Sequence, residues 1–214
     1  MYSATRLIDV APGTDDATVD DLMARLRAAA ADTGAVGTVV NRTLPGSANA
    51  GDVLAHFNYA DRESWGQAKP TIDGILDEPI AVRVNGAEYQ PGQSGAAAPR
   101  AAGTVYRALL LAVEPGTPEE TLERFAADTL QMPGHIPTML AWQLSRVDTA
   151  RGDSNYTHVW EQEFTDINAV NGPYLFHPIH WAVVDAWFDP ECTQCIIREA
   201  VCHSFCDLDG QILP

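Results

Sequence analysis

The chain has 214 residues, 46% of them hydrophobic, with 5 Trp, 6 Phe and 6 Tyr, enough apolar side chain for a packed core and incompatible with wholesale disorder. Its 13 Lys and Arg stand against 29 Asp and Glu, a formal charge of -16; that field repels phosphate backbones and anionic headgroups, so no nucleic-acid and no membrane partner is expected. The opening MYSATRLIDVAPGTDD has no basic stretch leading into an apolar run, and no segment approaches a membrane span, so a cytoplasmic location is expected.

In chain order, Ala4 to Val10 reads as a strand, and Ala17 to Ala30 as a helix with Val19, Leu22, Met23 and Leu26 on one face. Strands follow at Val36 to Leu44 and Val53 to Tyr59, then a degraded helical stretch over Trp65 to Leu76 and a strand at Ile80 to Val84. Gln90 to Gly103, QPGQSGAAAPRAAG, offers Gly, Pro, Ser and Ala and little to bury; it reads as a linker. Thr104 to Val113 is β-branched and aliphatic, hence strand, and ends at a Pro-Gly turn before a helix carrying Leu122, Phe125 and Ala126. Thr117 is its expected N-cap, with Glu119 and Glu120 where the helix dipole favours carboxylates. After the loop Met132 to Pro137 come strands at Thr138 to Val147 and Tyr156 to Phe164, separated by the turn-rich DTARGDSN. A helical region around Pro178 to Phe188 and a last strand at Arg198 to Asp207 complete the chain.

The two halves repeat. VAPGTDDATVDDL at Val10 reads against VEPGTPEETLERF at Val113, an offset of 103 residues, as a duplication would give. Each half runs β-α-β-β-α-β, the ferredoxin-like order. Such a sheet covers one face with helices and leaves the other bare, so two of them should pack bare face to bare face. The expected class is α+β: a repeat over 1–89, a linker over 90–103 and a second repeat over 104–214, closing one barrel within the chain as a pseudo-dimer, whether the protein is monomeric or a homodimer.

The second half resembles the stress-responsive dimeric α/β-barrel (Dabb) family. The match is carried by VEPGT, by YTHV at Tyr156 to Val159, by EFTD at Glu163 to Asp166, and above all by YLFHPIH at Tyr174 to His180. The first half has no His-Pro-x-His around Trp65 to Leu76, so a pocket is expected in the second half only. In members of the olivetolic acid cyclase type, the Tyr and last His of this motif close a polyketide by aldol chemistry. The resemblance carries these roles to Tyr174 and His180; a first-strand His of that type is replaced by Arg107.

An imidazole such as His180 is suited to take a proton from carbon beside a carbonyl, and a phenol such as Tyr174 to donate to the oxygen where charge develops. Arg107 is a candidate anion clamp, or an edge salt bridge to one of the nearby acids. Along Tyr156 to Phe164, Tyr156, His158, Trp160 and Gln162 share a face, in character either pocket or sheet-to-sheet core; His158 and Trp160 are therefore candidate substrate contacts, as is His177. The competing reading has His177 and His180 capping the following helix. Cys192, Cys195, Cys202 and Cys206 follow zinc-knuckle spacing, but the strand implied by the family puts Cys202 and Cys206 roughly 13 Å apart. No metal and no cofactor is expected, and a Cys192–Cys195 redox pair ranks below unreactive thiols. The expected protein is a cofactor-independent barrel-pocket enzyme, a cyclase or carbon-carbon lyase acting on a small aromatic or polyketide-like oxo compound. The alternative is a non-catalytic ligand-binding or stress-responsive barrel. An open cavity shared by Tyr174, His180 and Arg107 favours the first, and one filled by aromatic side chains the second.

Overall fold

The computed structural model describes residues 1–198 and 201–214. It is a four-layer sandwich: helices, sheet, sheet, helices. The first half supplies β1 (Tyr2–Val10), α1 (Asp16–Asp32), β2 (Gly37–Arg42), β3 (Val53–Tyr59), α2 (Arg62–Leu76) and β4 (Ala81–Tyr89). After β5 (Gln93–Ala96) the second half supplies β6 (Val105–Leu111), α3 (Glu119–Thr129), β7 (Met139–Arg146), β8 (Thr149–Arg151), β9 (His158–Phe164) and β10 (Cys202–Asp207). The sheets are ordered β2-β3-β1-β4-β8 and β10-β6-β9-β7-β5. Without their fifth strands both have the ferredoxin-like order, and every pairing is antiparallel. Among the described residues no helix is long and apolar enough to cross a membrane.

The repeat is exact enough to fix local geometry. Gly13 and Gly116, 103 residues apart, both sit at positive φ, +86° and +84°, where a side chain is strained. Both helices start three residues later, but their caps differ. The Asp15 carboxylate accepts from the Thr18 amide at 2.8 Å, whereas the equivalent Pro118 has no cap to offer. Thr117 does not cap α3, contrary to expectation: the extended Pro118 takes the N-cap position, and the Thr117 hydroxyl donates back to the Glu114 carbonyl at 2.7 Å.

Five segments depart from the sequence reading. The helix expected to be degraded is a full 15-residue α2, with Pro70 inside it. The segment read as linker contributes β5, which pairs with β7; its small residues are required, because a Cβ on Gly95 would lie 2.5 Å from the Trp142 ring. The turn-rich DTARGDSN contains β8, which crosses to pair with β4 of the first sheet. Helix also begins earlier than Pro178, at Ile167, and continues through π-helical Val170–Tyr174 and Ile179–Val184 into a 3₁₀ turn at Asp185–Trp187. The loop read at Met132 to Pro137 holds a single helical turn, Met132–His135. Of the expected last strand, positions 199 and 200 lie outside the described residues.

Strands β3, β6 and β9 are buried along their whole length because both faces are covered. Their alternate residues sort cleanly. Leu54, Leu110 and Val159 join the core between the sheets, while Phe57 packs under the first helix layer and Trp160 and Phe164 under the second. The inter-sheet space is partly polar. Glu161, fully buried, accepts from the Tyr106 hydroxyl at 2.5 Å and the Gln143 amide at 2.9 Å. His56, also fully buried, faces it at 3.3 Å, with Nε2 donating to Asn58 Oδ1 at 3.0 Å and the Thr5 hydroxyl 3.0 Å from Nδ1. These partners suit a neutral imidazole. Loop and strand also close the barrel edge, with Leu44 donating to Phe205 and Ala48 exchanging two backbone bonds with His203.

Burial holds the His56 imidazole below its ordinary pKa, outweighing the pull of Glu161 and the Asn58 bond. The unfolded chain therefore binds a proton that the folded chain refuses, and this contribution to stability is complete above about pH 6.5 and declines below it. In urea titrations the advantage of wild type over His56→Gln should shrink between pH 7.5 and 5.5. An advantage that grows would mean a cationic His56 paired to Glu161.

Candidate functional site

A cavity of about 270 Å³ lies between the outer face of the second sheet and its helices. Leu109, Phe125, Trp160 and Val184 give it apolar walls, and Arg107, Tyr174, His180, Asp185 and His203 give it polar groups. The strand pleat explains part of this set. Arg107 lies on the central strand β6 directly across from Gln162 on β9, and on the other side β10 brings His203 alongside.

The Arg107 guanidinium donates from Nη1 to Gln162 Oε1 and from Nε to His203 Nε2, both at 2.6 Å. Its Cζ lies 4.8 Å from the centre of the Tyr174 ring, within cation–π range. The Tyr174 ring meets Phe164 edge-on at 5.3 Å and His180 at 4.7 Å. Its hydroxyl has no hydrogen bond among the described residues, although only 2% of the residue is exposed. Burial raises the phenol's pKa, more than Arg107 lowers it, with Asp185 adding to the rise; the hydroxyl is a protonated donor. The charge of Arg107, then burial, then His180 push the His203 imidazole down to about 2, so His203 stays neutral and accepts from Arg107.

His180 Nδ1 stands 3.4 Å from Asp185 Oδ2. The two lie five positions apart, a spacing that an α-helix splays apart. Here the turn is π-helical, the Asp185 amide donating to the His180 carbonyl, so the two side chains fall on one face. Inserted π turns recur at functional sites. With Nδ1 facing the carboxylate, Nε2 is left to act in the cavity.

Four of the six sequence candidates therefore converge: Arg107, Trp160, Tyr174 and His180. His158 and His177 do not. His158 sits at the far end of β9, edge-on to Phe125 at 5.9 Å and beside the Thr157 hydroxyl at 2.9 Å. It lines a separate recess with Arg146; burial and then Arg146 push its pKa down to about 4. His177 Nδ1 accepts from the Ile179 amide at 3.1 Å, and its ring rests against His135, which is the capping arrangement. Among the described residues no three His, Cys, Asp or Glu are grouped to hold a metal, and all four cysteines are free thiols. Cys202 and Cys206 lie in the inter-sheet core, Cys202 3.0 Å from the Tyr156 hydroxyl, and burial raises both thiols.

The sequence reading missed Asp185 and His203. His203 was accessible from alternation alone: with Cys202 and Cys206 turned into the core, 203 must share the face of Arg107. Asp185 was not, because helical periodicity pairs position 180 with 183 and 184.

The first half lacks this arrangement. On the helix-facing side of β1, Arg6 is fully buried against the Trp65 ring at 5.3 Å and donates to Glu88 at 2.6 Å. Lys69 also pairs with Glu88, and Asp73 with Arg151 at 2.8 Å. A closed ion-pair cluster occupies the space.

Residues 105–202 match the stress-responsive A/B barrel domain, Dabb. No curated protein matches the chain. Among solved structures, an anthrone oxidase-like protein aligns over 96% of this chain and 90% of its own, with a TM-score of 0.65 at 10% identity. A candidate monooxygenase of Fusobacterium nucleatum aligns over 98% and 95%, with 0.60 at 10% identity. A candidate chlorite dismutase aligns over 97% and 94%, with 0.58 at 14% identity. At such identities the likeness establishes the fold, and it does so over both halves together.

Because the Tyr174 hydroxyl bonds to no described residue, Tyr174→Phe should change stability by no more than about 0.5 kcal/mol in urea unfolding. Tyr106→Phe, which takes a donor from the buried Glu161, should cost about 1–3 kcal/mol. Equal losses would show that the Tyr174 hydroxyl is spent on the fold.

Proposed function

We propose that the Dabb domain forming the C-terminal half of this chain is an acid–base enzyme that enolises a small oxo compound, aromatic or polyketide-like, for cyclisation or carbon-carbon cleavage without a cofactor. The observation that carries this reading is the convergence of Tyr174, His180 and Arg107 on one open, apolar cavity. A barrel in which these residues served only as architecture would fill that space with side chains.

His180 Nε2 takes the proton from carbon α to the substrate carbonyl. Asp185, at Nδ1, orients the ring and stabilises the imidazolium that forms. Tyr174, kept protonated by its burial, donates a hydrogen bond to the carbonyl oxygen as negative charge develops there. Hydrogen bonding from a preorganised donor in a site of low dielectric needs no solvent reorganisation during the reaction. The enolate is the intermediate common to aldol closure and its reverse, so the geometry serves either direction. The apolar wall of Leu109, Phe125 and Trp160 suits a ring or short alkyl chain.

Enolisation is measurable without the natural substrate, as solvent deuterium incorporation at the methyl carbon of an aryl methyl ketone followed by NMR. Wild type should exceed the buffer rate, His180→Ala should lose about 10²-fold or more of the enzymatic rate, and Tyr174→Phe and Asp185→Asn should both slow it. Exchange that survives both His180→Ala and Tyr174→Phe, or that is absent from wild type, contradicts the assignment.

A further inference from the structure

Arg107 is 3% exposed, yet both groups that accept from it, His203 Nε2 and Gln162 Oε1, are uncharged. No carboxylate lies within ion-pair distance of it among the described residues; Asp185, the acid lining the same cavity, is engaged by His180. Nη2 makes no protein hydrogen bond there, and Arg107 lines the cavity. Buried charges are ordinarily paired, because removing an ion from water costs more than neutral partners return. The same chain obeys that rule in its other half, where the equally buried Arg6 is met by Glu88 at 2.6 Å and Asp73 at 3.7 Å.

We propose that the missing counter-ion is the ligand: the cavity binds a carboxylate, received by Nη2 of Arg107. His203 and Gln162 are positioning residues that grip Nε and Nη1 from the two neighbouring strands. They fix the plane of the fork and leave one edge for the anion. Tyr174 closes the other side of the guanidinium with its ring, 4.8 Å from Cζ. A neutral cradle is what such a receptor requires, since a protein carboxylate in place of Gln162 would occupy the charge itself. The cavity, at about 270 Å³, falls just below the roughly 300–1,000 Å³ of drug-sized pockets. The fitting class is a compact organic acid, a ring or short chain bearing one carboxylate. This deepens the acid–base reading by naming its substrate class, and rests on it only for placing the reacting carbon at His180.

The test uses benzoate and its neutral isostere benzamide, titrated calorimetrically at pH 7 into the full chain. Wild type should prefer benzoate by about ten-fold or more, the discrimination expected of a charged hydrogen bond out of water. Arg107→Gln should bind the two probes alike, and His180→Ala should keep the preference. Arg107→Met, which removes the buried charge with its desolvation cost, serves where Arg107→Gln does not fold. Equal affinities in wild type, no binding of either probe, a preference that survives loss of Arg107, or one lost in His180→Ala overturns the proposal. The readout is equilibrium binding, so failure of the enolisation assay leaves this result standing, and failure here leaves that assay unaffected.

Discussion

Two sheets that each have one bare face are stable only against each other, and this constraint organises the whole chain. The shared interface holds an apolar core that includes Leu7, Leu54, Leu110 and Val159. At its centre lies a sealed polar contact in which Glu161 and Tyr106 of the second sheet meet His56 of the first. Burial of apolar surface supplies the driving force. The polar contact supplies register, since any slip would leave a carboxylate buried without donors. With the inner faces committed, the space for a ligand is pushed outward, between a sheet and its own helices.

Both halves have that outer space, and they use it in opposite ways. The first half packs Trp65 over Arg6 and satisfies the guanidinium with Glu88, giving a closed support. In the second half the irregular helical segment carries Tyr174 and His180 over the sheet without filling the gap beneath, and Arg107 is left with neutral partners. A π-helical turn is a poor choice for stability, and its benefit here is geometric: it stacks Asp185 against His180. The duplication therefore separates two demands that a symmetric pair would have to meet at once, stability in one copy and an open, charged cavity in the other.

Most of this architecture was legible from periodicity and repetition. The 103-residue offset survives as matching left-handed glycines, Gly13 and Gly116, at one turn, and strand alternation sorted core from surface. What escaped the sequence was non-local. Nothing in QPGQSGAAAPRAAG signals that Gly95 must pass over Trp142, nor does DTARGDSN announce a strand that joins the opposite sheet at Glu88. The site was legible in its motif residues and opaque where helix geometry departs from 3.6 residues per turn, which is why Asp185 was missed. His158 shared the right face with Trp160, but the strand carries it past the end of the cavity.

The claim that one half binds and the other supports is tested most directly by locating a bound acid in the intact chain. Benzoate titrated into isotope-labelled protein should shift the side-chain resonances of Arg107, Tyr174 and His180 together and saturably, while those of Arg6, Trp65 and Lys69 stay in place. Shifts of comparable size in both sets, or confined to the first half, would contradict the division of labour between the two repeats.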